Sequence, residues 1–240
     1  MRRSSPVLAI AIAAAAFPAA AAENAEPVVV EMFLSQACSD SPAAAAVQRE
    51  ISKRPDVVAL TWHIDYWDVL ANRKHGRWED PFAAAAFSAR QRVYNRNIRE
   101  RSTVFTPQAI VNGAASEVGS RREGIEEHIE FERMNSDDRV STSIKRVGDM
   151  IEAKVDPEGE DPRDVLLVRF ASFAATRVGG GDNFGVTFEE RNVVRQISRL
   201  GMVTHEPETF IFPAPPQGQG CAVIVQHANQ GPIVGARYCP

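Results

Sequence analysis

Two strand-length apolar runs, separated by one helix-length segment, constrain the fold of this chain most strongly. Val28–Leu34 and Val57–Ile64 are almost continuous apolar runs, as is typical of strands that are covered on both faces. The alanine-rich segment between them starts with Ser41 and Pro42 and ends before Pro55, which predicts a helix with Ser41 as its N-cap. A strand, a helix and a strand joined by short connections form a right-handed parallel crossover unit. The sequence therefore predicts an α/β fold.

Chemically active side chains follow both predicted strands. Cys38 comes after the first strand, and His63 and Asp65 lie at the end of the second. Catalytic and ligand-binding groups of open α/β sheets collect at the carboxyl edge of the strands, so these residues are expected near one another. A histidine oriented by a carboxylate can activate a cysteine thiol. His63, oriented by Asp65 or Asp68, is therefore the best candidate for an activator of Cys38.

Structural roles are the alternatives for the same residues. Cys38 can instead be a small buried hydrophobic residue. For His63 the sequence favours a structural histidine that is hydrogen-bonded at the strand end. Aromatic residues are frequent in this region, and the pattern favours core and loop packing over a pocket for them; they are Trp62, Tyr66, Trp67 and Trp78.

The rest of the first half predicts two more helices and a hairpin. Asp80 and Pro81 are typical of a helix start, and the helix they begin runs to about Arg101. A strand at 105–113 closes with an Asn-Gly turn, a short strand at 114–118 completes a hairpin, and a helix ends near Asn135.

The second half has a different sequence pattern, because short segments of alternating apolar and polar residues replace the helical patterns. Strands are predicted at 141–147, 150–155, 165–173 and 221–226, with glycine and proline turns between them. The segment 191–200 fits either a helix face or a strand. The sequence therefore predicts a β-rich C-terminal half packed on the first half, with domains at 23–136 and 137–240.

The N-terminal segment is typical of a secretory signal peptide. Arg2 and Arg3 precede an apolar run of eleven residues from Val7 to Phe17, and small residues follow as far as Ala22. Such a run is too short to span a bilayer. We expect residues 1–22 to be cleaved, leaving a secreted or periplasmic product that has no attachment to the membrane. The net charge of −4 provides no basic field for nucleic acid.

The three cysteines are an odd number, so at least one thiol lacks an internal partner in an oxidising compartment. The segment from Cys221 to Cys239 fits a hairpin with a three-residue loop at 229–231, in which Gly231 takes the left-handed conformation. This register places Cys221 opposite Cys239, at a separation that suits a disulfide. We predict that bridge, with two buried free thiols as the alternative. Cys38 is then the unpaired thiol.

Several strings carry a resemblance to a known family. They are 29–38, 58–68, 80–82, 87–91, 105–113, 191–195 and 220–226. On these residues the chain resembles the thioredoxin superfamily, and more closely the secreted bacterial domain-of-unknown-function family (1223) built on it. The resemblance covers almost the whole mature chain. It implies a thioredoxin-like N-terminal half in which Pro107 is a cis-proline facing Cys38.

One position departs from the family pattern. Members usually carry a second cysteine where this chain has Ser41, so Cys38 can form a mixed disulfide but has no resolving thiol beside it. A dithiol reductase or oxidase cycle therefore loses support.

Three functions fit these observations. The first is monothiol exchange with protein thiols or disulfides through Cys38, which requires an accessible thiol with a pKa well below about 8.5. The second is a redox-inactive adaptor that holds an extended peptide by strand addition. The third is a copper(I) site formed by Cys38 and His63, with His75 as a further ligand. The first two need no cofactor, and the sequence leaves the oligomeric state open.

Overall fold

The two apolar runs form adjacent parallel strands at the centre of the protein, and every residue of both strands is buried. The structure is a computed structural model that describes residues 26–70, 75–135, 138–157 and 159–240. The predicted signal peptide lies outside these residues. The elements in chain order are β1 (Val28–Leu34), α1 (Ser41–Ile51), β2 (Val57–His63), α2 (Tyr66–Leu70), α3 (Ala85–Arg99), β3 (Gln108–Val111), β4 (Ala115–Val118), α4 (Arg122–Met134), β5 (Ser141–Val147), β6 (Met150–Asp156), β7 (Arg163–Arg177), β8 (Thr187–Val203), β9 (Glu208–Pro213), β10 (Gln219–His227) and β11 (Ile233–Tyr238).

Two sheets organise these elements. One has eight strands in the order β11-β10-β7-β8-β2-β1-β3-β4, and the other has three strands in the order β5-β6-β9. Alternate residues of β1 face two different cores, since successive side chains of a strand point to opposite faces. Val29 and Phe33 pack with α3, whereas Val30 and Met32 pack with α1 and α4. The α/β class with a β-rich C-terminal portion is confirmed.

Strands from both sides of residue 136 share the eight-stranded sheet. The segment 191–200, which fits either a helix or a strand, belongs to β8, a long strand that pairs with β7 throughout. On its other side β8 meets β2 through one parallel ladder pair, Thr61 with Val193. A third core lies between the two sheets and includes Ile151, Phe210 and Val223. No helix in the described part of the chain is both long and apolar enough to cross a membrane.

The helix starts differ from the prediction. Ser41 is the first residue of α1, and its buried hydroxyl accepts a hydrogen bond from the Ser35 amide instead of capping the helix. Asp80 does not begin a helix either, because its carboxylate turns inward; α3 begins at Ala85. The predicted turn between β3 and β4 is confirmed, with positive φ at Asn112 and Gly113.

The C-terminal hairpin confirms the predicted disulfide. The ladder pairs Ala222 with Tyr238, so that Cys221 and Cys239 lie opposite each other with a Cα–Cα distance of 5.3 Å and their sulfurs bonded. The predicted loop conformation is wrong. Asn229 and Gln230 have the positive φ values, and Gly231 has a φ of −72°, because a bulge after Val225 shifts the turn.

The disulfide closes a hairpin whose cysteines are 18 residues apart. We expect the double variant Cys221→Ala/Cys239→Ala to lower the free energy of unfolding by about 2–4 kcal/mol, because the unfolded chain regains the entropy that the crosslink removes. Urea denaturation measures the change, with Cys38→Ala as the single-cysteine control. The bridge is contradicted if the unreduced native protein has three free thiols after unfolding.

Candidate functional site

Cys38 lies in the tight connection between β1 and α1. Its amide donates to the Ser35 carbonyl, and its own carbonyl accepts from the amide of Ser41, the first residue of α1. The thiol donates to the carbonyl of Thr106, with an Sγ–O distance of 3.6 Å. The next peptide bond, Thr106–Pro107, is cis, as the resemblance implies for Pro107. The thiol therefore lies against the backbone that leads into the cis-proline.

The environment of the thiol opposes ionisation. Only 2% of Cys38 is exposed, and burial raises the pKa of its thiol. Hydrogen bonds from the Asp40 amide and the Ser41 side chain lower that pKa and the charge of Asp40 raises it, but burial dominates. The expectation of an accessible thiol with a low pKa is wrong for this conformation, because a thiolate loses more solvation here than the start of α1 restores.

A tyrosine hydroxyl lies beside the same backbone. Tyr66 forms hydrogen bonds with the Thr106 hydroxyl and with the Gln91 side chain, the latter at 3.2 Å. Burial raises the pKa of Tyr66, and the charge of an ionised Cys38 would raise it further. Tyr66 is thus part of the surroundings of the thiol as well as a packing residue, and a place beside Cys38 is the less favoured interpretation of the aromatic residues.

His63 is fully buried between two carboxylates from distant parts of the chain. Its Nδ1 lies 2.7 Å from Oδ2 of Asp80, and its Nε2 lies 3.2 Å from Oε1 of Glu190. The contact with Asp80 is a hydrogen bond. The contact with Glu190 is an ion pair only, and neither His63 Nε2 nor Glu190 Oε1 has a hydrogen-bond partner among the described residues. Burial by itself lowers the pKa of His63, but the charges of Glu190 and Asp80 raise it to about 10. His63 is therefore an imidazolium at neutral pH.

The predicted orienting carboxylates of His63 are elsewhere. Asp65 accepts a hydrogen bond from the Ser88 hydroxyl. Asp68 accepts one from the Asp80 amide at 3.2 Å, and its pKa is raised to about 6 by burial and by the charges of neighbouring acidic residues. Asp80 replaces both as the partner of His63, because the loop that leads to α3 folds back over the end of β2.

His63, Asp80 and Glu190 form a cluster that supports the cysteine loop, residues 35–40 between β1 and α1, through hydrogen bonds to Gln36. Asp80 Oδ2 also accepts from the Gln36 amide at 2.8 Å, and the Gln36 side chain donates to Glu190 at 3.0 Å. Gln36 and Cys38 belong to the same connection after β1. In the described residues, the hydrogen bonds of Cys38 do not include one to His63. This geometry agrees with the structural histidine that the sequence favours for His63.

Both histidines proposed as copper ligands have other partners. Both ring nitrogens of His63 lie against carboxylate oxygens, and the ring of His75 stacks on Phe184 with 4.8 Å between the centroids. No group of three or more histidine, cysteine, aspartate or glutamate side chains within the described ranges could hold a metal ion. The arrangement therefore does not support copper(I) bound by Cys38 and His63.

Three polar residues of the site were missed in the sequence. In the sequence, Asp80 fits a helix start, Glu190 precedes the segment 191–200, and Asn183 lies in a glycine-rich turn. Asn183 donates its side-chain amide to the carbonyls of Gln36 and Cys38. Only Glu190 left a usable signal, since it alternates with Phe188 on the buried side of β8 and an inward acidic residue needs a partner.

Sequence and structure comparisons place the chain in a family. Residues 29–226 match the family described as "Protein of unknown function (DUF1223)". The chain belongs to the DUF1223 family. A crystal structure of a protein from Agrobacterium tumefaciens is similar to it, with 30% identity and a TM-score of 0.74; the match covers 90% of this chain and 94% of that one.

The other comparisons add no function to the DUF1223 assignment. A hypothetical protein from Pyrococcus horikoshii matches 42% of this chain and 84% of its own, with 9% identity and a TM-score of 0.21, which supports no structural conclusion. No curated protein matches this DUF1223 sequence.

The raised pKa of His63 leads to a direct test. We expect its imidazole to titrate near pH 10, so that it stays protonated through pH 8, as followed by NMR with His63→Gln for assignment. Protonation of His63 also stabilises the folded protein. Because the pKa of His63 is higher in the folded protein than the unfolded value of about 6.5, its contribution to the free energy of unfolding is complete below about pH 6.5. That contribution is lost as the pH rises through about 10.

Two carboxylate variants show which neighbour raises this pKa. Asp80→Asn should lower the titration midpoint of His63, because it removes a contacting charge. Asp65→Asn should leave the midpoint unchanged. The assignment of Asp80 is wrong if only Asp65→Asn moves the midpoint.

Proposed function

We propose that this DUF1223 protein is an exported thioredoxin-like protein that performs monothiol thiol–disulfide exchange through Cys38. One observation carries the proposal. The Cys38 thiol lies 3.6 Å from the carbonyl that precedes the cis bond to Pro107, just before the start of α1. A helix start favours a thiolate, and the cis-proline is the element that the family resemblance pairs with the reactive cysteine.

The exchange step involves only one sulfur of the protein. Cys38 loses its proton to solvent, and its thiolate attacks one sulfur of a partner disulfide. A new S–S bond joins Cys38 to that sulfur while the other partner sulfur leaves as a thiolate. Ser41 has a hydroxyl where a resolving thiol would stand, and Cys221 and Cys239 are bonded to each other. A second thiol from outside the chain must therefore release the partner.

Burial makes this activity latent in the conformation described. The thiol is 2% exposed and its pKa is raised, so the resting protein holds Cys38 protonated and shielded. Exchange then proceeds from a conformation in which the cysteine loop is open, and its rate depends on how often that conformation forms.

Export is part of the same proposal. The N-terminal sequence predicts a signal peptide, and the Cys221–Cys239 disulfide suits an oxidising compartment outside the cytosol. We infer a periplasmic or secreted protein whose partners are protein thiols or disulfides.

Alkylation and mixed-disulfide formation test the exchange. We expect iodoacetamide to modify native Cys38 at least about tenfold more slowly than the unfolded chain at pH 7, because the buried thiol reacts only on opening. Incubation with an aromatic disulfide should nevertheless add one equivalent, seen as a mass increase that Cys38→Ser abolishes. The exchange proposal is overturned if native Cys38 forms no mixed disulfide under conditions in which the unfolded chain does.

The burial and raised pKa of Cys38 also favour the second candidate, a redox-inactive peptide-binding adaptor. The outer edge of β4 is the last of the eight-stranded sheet and could take an extended segment by strand addition. Partner binding that persists in Cys38→Ala, together with the failure of native Cys38 to form a mixed disulfide, would support this function over the exchange.

A further inference from the structure

The loop between β7 and β8, residues 178–186, lies directly on the cysteine loop. Asn183 is 5% exposed, and its side-chain amide donates to the Gln36 carbonyl at 2.9 Å and to the Cys38 carbonyl at 2.7 Å. The Asp182 amide donates to the Ala37 carbonyl at 3.4 Å. Three consecutive carbonyls of the cysteine loop are thus all satisfied by one segment from the C-terminal half.

Glycines allow this close approach. A Cβ on Gly180 would lie 2.5 Å from the Arg77 carbonyl oxygen, so a side chain there would displace the loop. Gly181 has a φ of +71°, which side-chain-bearing residues rarely adopt, and its Cβ position lies 3.3 Å from the Ala37 Cα. The Gly-Gly-Gly sequence at 179–181 is therefore matched to the surface on which the loop lies.

Few apolar contacts hold the tip of the loop in place. Its Gly181 amide donates to the Gly76 carbonyl at 3.0 Å, and Phe184 stacks on His75 while 55% of Phe184 stays exposed. A glycine-rich segment loses much conformational entropy when it is ordered, and each hydrogen bond that holds it returns only about 1 kcal/mol net. Such a segment can open without unfolding the sheets beneath it.

We propose that the β7–β8 loop is an autoinhibitory cover, which an extended segment of a partner protein displaces to reach Cys38. This inference rests on the proposed function and supplies its regulation. The carbonyls of residues 36–38 accept hydrogen bonds from the loop in the closed state. When the loop leaves, they accept from backbone amides of the partner segment, whose disulfide then meets the freed thiol in the exchange described above.

The variant Asn183→Ala tests the cover, because it removes two hydrogen bonds to the cysteine loop. We expect the iodoacetamide rate of native Cys38 to rise about tenfold or more at pH 7. Asn97→Ala is the matched control, since the Asn97 amide also joins two carbonyls, those of Asn229 and Gln230, on another part of the protein. An unchanged rate in Asn183→Ala, or an equal rise in Asn97→Ala, overturns the cover.

Gly180→Val provides a second, independent variant, because its side chain would collide with the Arg77 carbonyl. It should also accelerate alkylation, and hydrogen exchange should increase in residues 178–186 while β1 and β2 stay protected. Increased exchange in β1 and β2 would instead show general unfolding, in which case the Asn183→Ala rate decides.

The two proposals fail in different ways. If Asn183→Ala speeds alkylation but no variant forms a mixed disulfide, the cover stands and the exchange function is wrong. If the wild type forms mixed disulfides at the rate of Asn183→Ala, exchange stands and the cover is overturned.

Discussion

The junction between β2 and β8 is the contact on which the rest of the structure depends. It is the place where the C-terminal strands join the parallel pair at the centre of the sheet. Only Thr61 and Val193 form a ladder pair there, so side chains complete the seam. The Thr61 hydroxyl donates to the Arg191 carbonyl, and the side-chain amide of Asn192 donates to the Ala59 carbonyl. Buried backbone carbonyls need such partners, which is why this irregular seam is still a stable one.

The seam determines the electrostatics of the site. It brings Glu190 of β8 next to His63 of β2, while the loop before α3 brings Asp80 to the opposite nitrogen. A charge in a fully buried position is tolerated only with a partner, so each of these groups requires the others. Gln36 of the cysteine loop bonds to both carboxylates of this cluster: its backbone amide donates to Asp80, and its side chain donates to Glu190. Elements from three distant parts of the chain therefore hold one short connection in place.

The same arrangement explains why the Cys38 thiol is buried and has a raised pKa. The start of α1 and the neighbouring hydrogen bonds favour a thiolate, but the enclosure of Cys38 costs the thiolate more solvation than they return. The β7–β8 loop is hydrogen-bonded to the Cys38 carbonyl, and the thiol itself lies against the Thr106 carbonyl. The proposed exchange therefore depends on whether the loop is closed or open as much as on Cys38 itself.

The sequence by itself determined the features that depend on local pattern. Apolar runs and alternation predict the strands, the Asn112-Gly113 pair predicts a hairpin turn, and hairpin register predicts the Cys221–Cys239 bridge; the cis state of Pro107 followed from family resemblance. Only the tertiary structure decided that Asp80 and Glu190, not Asp65, hold His63, and that Cys38 is covered. The physical reason is distance along the chain. The Gln36–Glu190 hydrogen bond spans 154 residues, and no periodicity or turn rule acts over that separation.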